Sequence, residues 1–144
     1  MFDIAIIGSG PAGISAAINC KIRNKSFVLF GQNELSHKVE ISEKINNYPG
    51  LPNISGEELN AKMREHLNSM EIEITDERIT GIYKMKDKFT LLADRKMFEA
   101  RAVILCLGAE TIKPLPNERE LLGRGVSYCA TCDGAFFKNK RAVV

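Results

Sequence analysis

The sequence has 144 residues, of which 44% are hydrophobic and 26% are charged, and its formal net charge at pH 7 is +2. A chain of this length suits a single domain and can bury about 70% of the surface that its unfolded form exposes. The charge is too small for the basic field of a nucleic-acid-binding protein, and no apolar stretch is long enough to span a membrane, so we expect neither partner.

The N-terminal segment "MFDIAIIGSG" contains a short apolar run with β-branched residues, which predicts a buried strand over about residues 2 to 7. No basic leader precedes this run, and no cleavage site of small residues follows it. We therefore expect a cytoplasmic protein.

A glycine-rich turn follows the first predicted strand. Gly8, Gly10 and Gly13 have the G-x-G-x-x-G spacing, and the next segment places apolar residues on one helical face, namely Ile14, Ala17, Ile18 and Ile22. Such glycines allow a tight turn, a close approach of backbone N–H groups to a pyrophosphate, and close contact between helix and strand. The order of strand, turn and helix therefore predicts a dinucleotide-binding site. The alternative is a glycine turn that only permits tight packing.

The second predicted strand, "SFVLFG", ends at about residue 30 and completes a βαβ unit. An acidic residue usually follows this strand and bonds a ribose hydroxyl, but here the position holds Gly31, and the nearest acid is Glu34. The adenosine half of the dinucleotide would then be bound by backbone groups, or by a residue that the sequence does not identify. Residues 31 to 54 are predicted to form a long loop with "NNYPGLPN" in it, for which we favour ligand contact.

A second helix is predicted from "SGEELNAKMREHLNSM", because Ser55 and Glu58 have the spacing of a capping box. Its apolar residues recur on one face, at Leu59, Met63, Leu67 and Met70. His66 lies near this stripe, and we interpret it as a partly buried surface residue rather than a catalyst.

Residues 71 to 100 contain four short strand-like segments, "EIEIT", "RITGIYKM", "KFTLLA" and "KMFEA", which predict a small antiparallel meander. The apolar segment "RAVILCLGAE" then predicts a return to a parallel sheet. Pro114 and Pro116 exclude a helix interior or a central strand, so residues 111 to 124 are interpreted as a crossing linker.

The chain has four cysteines, too few and too unevenly placed for a secreted disulfide framework. Cys20 and Cys106 are assigned to packing, whereas Cys129 and Cys132 form a C-x-x-C pair. A structural zinc site needs four ligands, and the two histidines are remote in sequence, so we expect no metal. The pair could also be two thiols that are buried next to each other by chance. We favour a redox-active pair.

Four segments in this order and spacing resemble the bacterial low-molecular-weight thioredoxin reductases, which are FAD-dependent pyridine nucleotide-disulfide oxidoreductases: "IIGSGPAG", "NNYPG", "VILCLGA" and "YCATCDGAFFKNK". The resemblance runs along essentially the whole chain and covers about the first half of the family's usual length. We therefore expect a fragment of a longer enzyme, the alternative being a truncated product that would not turn over alone. It implies an α/β fold with a Rossmann-like FAD-binding domain, built on a parallel sheet with a small antiparallel meander. Residues 1–112 would form its first segment. Residues 113–144 would form a linker and the start of a second, Rossmann-like redox domain, which would carry the C-x-x-C pair and an NADPH site.

The resemblance also implies an activity, the reduction of the thioredoxin disulfide by electrons that pass from NADPH through FAD to the C-x-x-C pair. Cys132 would face the flavin, Cys129 would attack the disulfide of thioredoxin, and Asp133 would be the acid that manages the proton. Asp133 could instead, or in addition, be a helix N-cap. The implied FAD contacts are Gly8, Ser9, Gly10, Pro11, Ala12, Gly13, Asn47, Gly108 and Ala109. The family also implies a homodimer.

One segment departs from the family pattern. The family usually has "GGQL" and a threonine-rich run along the flavin, where this chain has "NELSHKVEISEKI". Some relatives take electrons from ferredoxin and have lost the nicotinamide motifs, so the electron donor stays open between NADPH and ferredoxin.

The resemblance also fits two functions besides thioredoxin reduction. One is that of the flavoprotein component of an alkyl hydroperoxide reductase, a protein that shares the core but carries an extra N-terminal domain. The second is that of a non-catalytic flavin-binding module, against which the intact C-x-x-C-D segment argues.

Overall fold

The computed structural model describes residues 1–94, 96–109, 116–121, 123–127 and 134–143, apart from the side chain of Arg119. Six strands form one mixed sheet in the order β3-β2-β1-β6-β5-β4. The elements in chain order are β1 (Phe2–Ile7), α1 (Pro11–Ile22), β2 (Phe27–Phe30), α2 (His37–Glu40), α3 (Gly56–Ser69), β3 (Ile74–Thr75), β4 (Ile79–Lys84), β5 (Phe89–Ala93), β6 (Lys96–Leu105), α4 (Glu118–Leu121) and a 3-10 helix (Gly134–Phe137).

The parallel half of the sheet contains β1 at its centre, between β2 and β6, with β3 beside β2. Ile6 is paired with Leu29 on one side and with Ile104 on the other. Since all four strands run in the same direction, their carboxyl ends meet at one edge of the sheet. This arrangement confirms the predicted Rossmann-like fold and brings the glycine turn next to the end of β6.

Strand β6 is longer than the sequence predicts, because the segments "KMFEA" and "RAVILCLGAE" join into one strand. Its first part pairs antiparallel with β5 and its second part pairs parallel with β1. Ala100 is the point of change, since it is opposite both Phe89 and Phe2. The predicted meander therefore continues directly from the parallel sheet.

The segment "EIEIT" was expected in the antiparallel meander, and that expectation is wrong. Within it, Ile74 and Thr75 pair parallel with β2. Alternating strand residues fit a half-exposed edge strand of either direction, so the pattern alone does not determine the partner.

Side chains pack on both faces of the sheet. Alternate residues of β1 point to opposite faces, so Ile6 joins the core under α1 and α3, while Ala5 and Ile7 join the core on the other face with Phe30 and Leu91. In α3 the predicted stripe is confirmed: Leu59, Met63 and Leu67 are buried, and Met70 packs against them. The described part of the chain contains no helix with the length and apolar character that a membrane crossing requires.

Helix α1 buries most of the predicted face, since Ile14 and Ala17 are buried and Ile18 packs against the same core. Gly13 and Cys20 are buried as well, and the prediction is wrong only for Ile22, which is exposed. Small residues at positions 13 and 17 allow the helix to approach the sheet closely, and this contact determines which face is buried. The apolar residue at the helix end then remains in solvent.

Candidate cofactor-binding site

Two glycines shape the turn between β1 and α1 through the packing of the protein itself. Gly8 has φ of 117°, and its N–H donates to the carbonyl of Phe30 at 2.8 Å. A Cβ on Gly8 would collide with the carbonyl oxygen of Cys106, and a Cβ on Gly13 would collide with the carbonyl oxygen of Gly8. The turn therefore packs directly against the end of β6, and α1 packs directly against the turn, and both close approaches require glycine.

Gly10 differs from these two glycines, because the protein's own packing does not require it. Its backbone is extended, with φ of −78° and ψ of −177°, a conformation open to any residue. Among the described residues, the nearest atom to a Cβ at this position would be Ser36 Cβ, at 4.0 Å. Open space therefore lies over Gly10 at the start of α1.

The start of α1 has the properties of an anion site. Pro11 is in the first turn, no acidic residue is in that turn, and Gly10 has no side chain that could cap the free N–H groups. Free N–H groups and the helix dipole favour negative charge at this position. The open space over Gly10 thus fits a pyrophosphate, which needs close approach to the backbone.

Ser9 fixes the turn to the end of β2. It is buried, and its hydroxyl donates to the carbonyl of Gln32 at 2.9 Å. A Cβ on Gly31 would collide with the Ser9 side chain. The acidic residue expected after the second strand is therefore replaced by glycine for a steric reason, namely the close approach of Ser9.

The segment over residues 31 to 54, predicted as a loop, contains α2 and an isolated bridge between Ile45 and Ile54. Ser36 caps α2 by accepting a hydrogen bond from the N–H of Val39 at 3.4 Å. The ammonium group of Lys38 donates to the carbonyl oxygen of Ala109. This segment therefore reaches the carboxyl edge of the sheet, where the glycine turn is.

The structure brings most of the predicted cofactor contacts to this edge. Cys106, directly after β6, donates its N–H to the carbonyl of Ile7 at 2.8 Å, so the chain that follows β6 lies beside the glycine turn. The predicted contacts in this region are Gly8, Ser9, Gly10, Pro11, Ala12, Gly13, Gly108 and Ala109. Asn47 is exposed in the stretch between Ile45 and Ile54, and its contribution stays a prediction.

The predicted redox residues Cys129, Cys132 and Asp133 lie outside the residues that the structure describes. Part of the predicted linker, residues 111 to 124, does so too, although its described portion includes α4. Within the described ranges, no group of three or more metal-ligating side chains is present.

Cys20 and Cys106 are both free thiols, and each packs against the core under α1 and α3. Burial raises the pKa of both thiols, and for Cys20 the nearby charge of Arg23 partly opposes the increase. Since the thiolate is the nucleophile, a raised pKa makes both sulfurs less reactive. Their surroundings therefore agree with a packing role. His66 is exposed, which confirms a surface residue but not the partial burial that was predicted.

Sequence reasoning missed three residues near this site, namely Ser36, Lys38 and Asn60. Asn60 Nδ2 donates to the carbonyl of Ser36 at 3.1 Å and so ties α3 to the start of α2. Helix α2 has only four residues, too few for a periodic pattern. A serine before a short polar stretch was the only local signal.

Comparison with known proteins gives a consistent result. Residues 2–144 match a family model described as pyridine nucleotide-disulphide oxidoreductase. Thioredoxin reductase of Bacillus subtilis (strain 168) is 42% identical over 145 aligned positions, which cover 100% of this chain and 46% of the relative. The chain thus spans about half the length of the curated relatives that it matches.

Solved structures agree with this result. A ferredoxin-flavin thioredoxin reductase from Clostridium acetobutylicum is 54% identical with a TM-score of 0.75, over 94% of this chain and 47% of that chain. The thioredoxin reductase of Streptococcus pyogenes is 39% identical with a TM-score of 0.83, over 95% of this chain and 45% of that chain.

Proposed function

Because this chain belongs to the pyridine nucleotide-disulphide oxidoreductase family, we propose that it provides the FAD-binding part of a thioredoxin-disulfide reductase. The open space over Gly10, at an uncapped helix start, carries the proposal. Such a space is what a dinucleotide pyrophosphate needs. The similarity to proteins named thioredoxin reductase supports the choice of reaction.

In this proposal the residues of the glycine turn bind FAD. Gly8 and Gly13 keep the turn tight, and the N–H groups at the start of α1 donate to the pyrophosphate. Gly108 and Ala109 contact the cofactor from the end of β6, and Asn47 contacts it from the stretch after α2. Residues 1–112 form the first segment of the FAD domain, and residues 113–144 form a linker and the start of the redox domain.

The proposed redox step uses Cys129 and Cys132, which exchange two electrons as a disulfide and a dithiol. FAD, when bound, supplies two-electron transfer to this disulfide. Cys132 faces the flavin, and Cys129 as thiolate attacks one sulfur of the thioredoxin disulfide, forming a mixed disulfide that Cys132 then resolves. Asp133 holds the proton needed by the departing thiolate. Thioredoxin is the proposed partner, and the proposed state of the whole protein is a cytoplasmic homodimer.

The proposed electron donor is NADPH, in keeping with the pyridine nucleotide in the family description. A second candidate donor is ferredoxin. It is favoured by the identities of 54% and 47% to the two Clostridium acetobutylicum ferredoxin-flavin thioredoxin reductases, against 39% to the Streptococcus pyogenes enzyme.

An anaerobic titration of the full-length polypeptide, purified without added flavin, tests the proposal. We expect a yellow flavin band that NADPH bleaches and that oxidised thioredoxin restores. If NADPH leaves the flavin oxidised but reduced ferredoxin bleaches it, the donor is ferredoxin. Absence of bound flavin, or a reduced flavin that thioredoxin does not reoxidise, would contradict the reductase proposal itself.

A further inference from the structure

We propose that Lys38 is a cofactor-binding residue whose ammonium group pairs with negative charge on the dinucleotide held at the glycine turn. This inference rests on the proposed function, because it requires a dinucleotide at that turn. Two parts of the cofactor offer the charge: the diphosphate, and the isoalloxazine ring after two-electron reduction. The experiment below distinguishes them.

The first step of the argument is the fixed position of α2, which carries Lys38. A Cβ on Gly56 would collide with the carbonyl oxygen of Val39, so α2 and the start of α3 are in direct backbone contact. The N–H of Gly56 donates to the carbonyl of Ser42 at 2.8 Å, and Asn60 Nδ2 donates to the carbonyl of Ser36 at 3.1 Å. Three contacts with one long helix therefore fix α2 despite its shortness.

The second step is the location of α2 at the cofactor edge. Ser36, two residues before Lys38, is the described residue nearest to a Cβ at Gly10. Lys38 itself reaches Ala109, which follows Gly108 and the end of β6. Gly108 has φ of 67°, and no atom of the described residues lies within 4 Å of a Cβ at this position, so the backbone there is turned and is open with respect to them. The cation and the start of α1 thus border the same edge of the sheet.

The third step concerns charge. Lys38 is exposed, and within the described part of the chain its ammonium group contacts a neutral carbonyl oxygen, that of Ala109. The carboxylate on the same helix, Glu40, lies 3.5 Å from His37 Nδ1. An ammonium group has three donors, and a hydrogen bond to an anion is stronger than one to a carbonyl. Lys38 can therefore keep its contact with Ala109 and bind a phosphate or a reduced flavin ring as a point charge.

The test compares Lys38→Met with the unchanged full-length protein, after removal of bound flavin and titration with FAD. If Lys38 pairs with the diphosphate, oxidised FAD binds about tenfold more weakly, which is the loss of one charge-assisted hydrogen bond, and the flavin potential does not move. If Lys38 pairs with the reduced ring, oxidised FAD binds as before. The potential, measured against a dye of known potential, then falls by about 30 mV, which is equivalent to tenfold for a two-electron couple. Either result supports the proposal.

Two variants serve as controls. Lys38→Arg keeps the charge and should restore affinity and potential to within about twofold of the unchanged protein. Lys44→Met removes another exposed lysine of the same segment and should change neither quantity. Far-UV circular dichroism and the melting temperature check that each variant folds.

The proposal is overturned if the unchanged protein binds FAD and Lys38→Met alters neither the affinity nor the potential. That result would leave the proposed function intact. If the unchanged protein binds no FAD, the proposed function fails, and this inference fails with it.

Discussion

At the scale of single residues, the glycines of the turn between β1 and α1 have different reasons to be glycine. For Gly13→Ala we expect a net loss of up to about 2 kcal/mol in the free energy of unfolding. Alanine is favoured in a helix by about 1 kcal/mol, but overpacking against the fixed carbonyl of Gly8 costs about 1–3 kcal/mol. Urea unfolding measures the difference, and a variant more stable than the unchanged chain would contradict this account.

Gly10→Ala should leave the stability of the fold almost unchanged and should instead weaken cofactor binding. The methyl group has room in the protein, so the free energy of unfolding should change by less than about 0.5 kcal/mol. If FAD binds as proposed, Gly10→Ala should weaken its binding at least about tenfold, because the methyl group would occupy the space proposed for the pyrophosphate. Titration with FAD, followed by flavin fluorescence, gives the affinity. Binding as tight as that of the unchanged protein would mean that the pyrophosphate does not lie over Gly10.

Residue types in a known spacing could be predicted from the sequence, whereas contacts between distant residues could not. The glycine turn was predicted because its three glycines are local and their spacing has a physical meaning. Lys38 and Ala109 are 71 positions apart, and nothing in either neighbourhood indicates the other. From the sequence alone, Gly31 was an unexplained replacement of the acidic residue that usually follows the second strand. The structure gives the reason, because a side chain at position 31 would collide with Ser9.

At the scale of elements, the capping box of α3 is the clearest local signal. Ser55 Oγ accepts from the N–H of Glu58 at 3.1 Å, and the Glu58 carboxylate accepts from the N–H of Ser55 at 3.1 Å. Ser55→Ala should lower the free energy of unfolding by about 1 kcal/mol. Chemical denaturation measures this loss. As a control, Glu65→Ala changes an exposed residue inside the same helix and should stay within about 0.5 kcal/mol; equal losses in both variants would refute the capping role.

Helices were predicted better than strand partners, and the reason is the range of the interactions. In α3 the cap and the apolar stripe come from residues three or four positions apart, so the sequence contains the whole signal. In α1 most of the apolar face was predicted as well, but the burial of Gly13 and the exposure of Ile22 depend on how closely the helix approaches the sheet, which is a property of the packing. For Ile74 and Thr75 the partner is β2, more than forty positions earlier in the chain.

At the scale of the whole molecule, Ala100 is the residue at which the two halves of the sheet meet. It is fully buried and is opposite Phe2 in β1 and Phe89 in β5. Ala100→Leu should therefore lower the free energy of unfolding by about 1–3 kcal/mol through overpacking. Ala102→Leu makes the same change at an exposed position of the same strand and should cost less. Urea unfolding compares the two, and equal losses would show that Ala100 has no special place in the core.

The continuity of β6 has a consequence for local unfolding. One strand is hydrogen-bonded to β5 through its first part and to β1 through its second part, so the antiparallel extension and the edge that carries the glycine turn share a backbone. Regions that share a backbone tend to open as one cooperative unit, whose amide protons exchange with solvent together. Amide exchange in β5 would then depend on the stability of the sheet edge that carries the glycine turn. We therefore expect a ligand that binds at this edge to slow amide exchange in β5 as well.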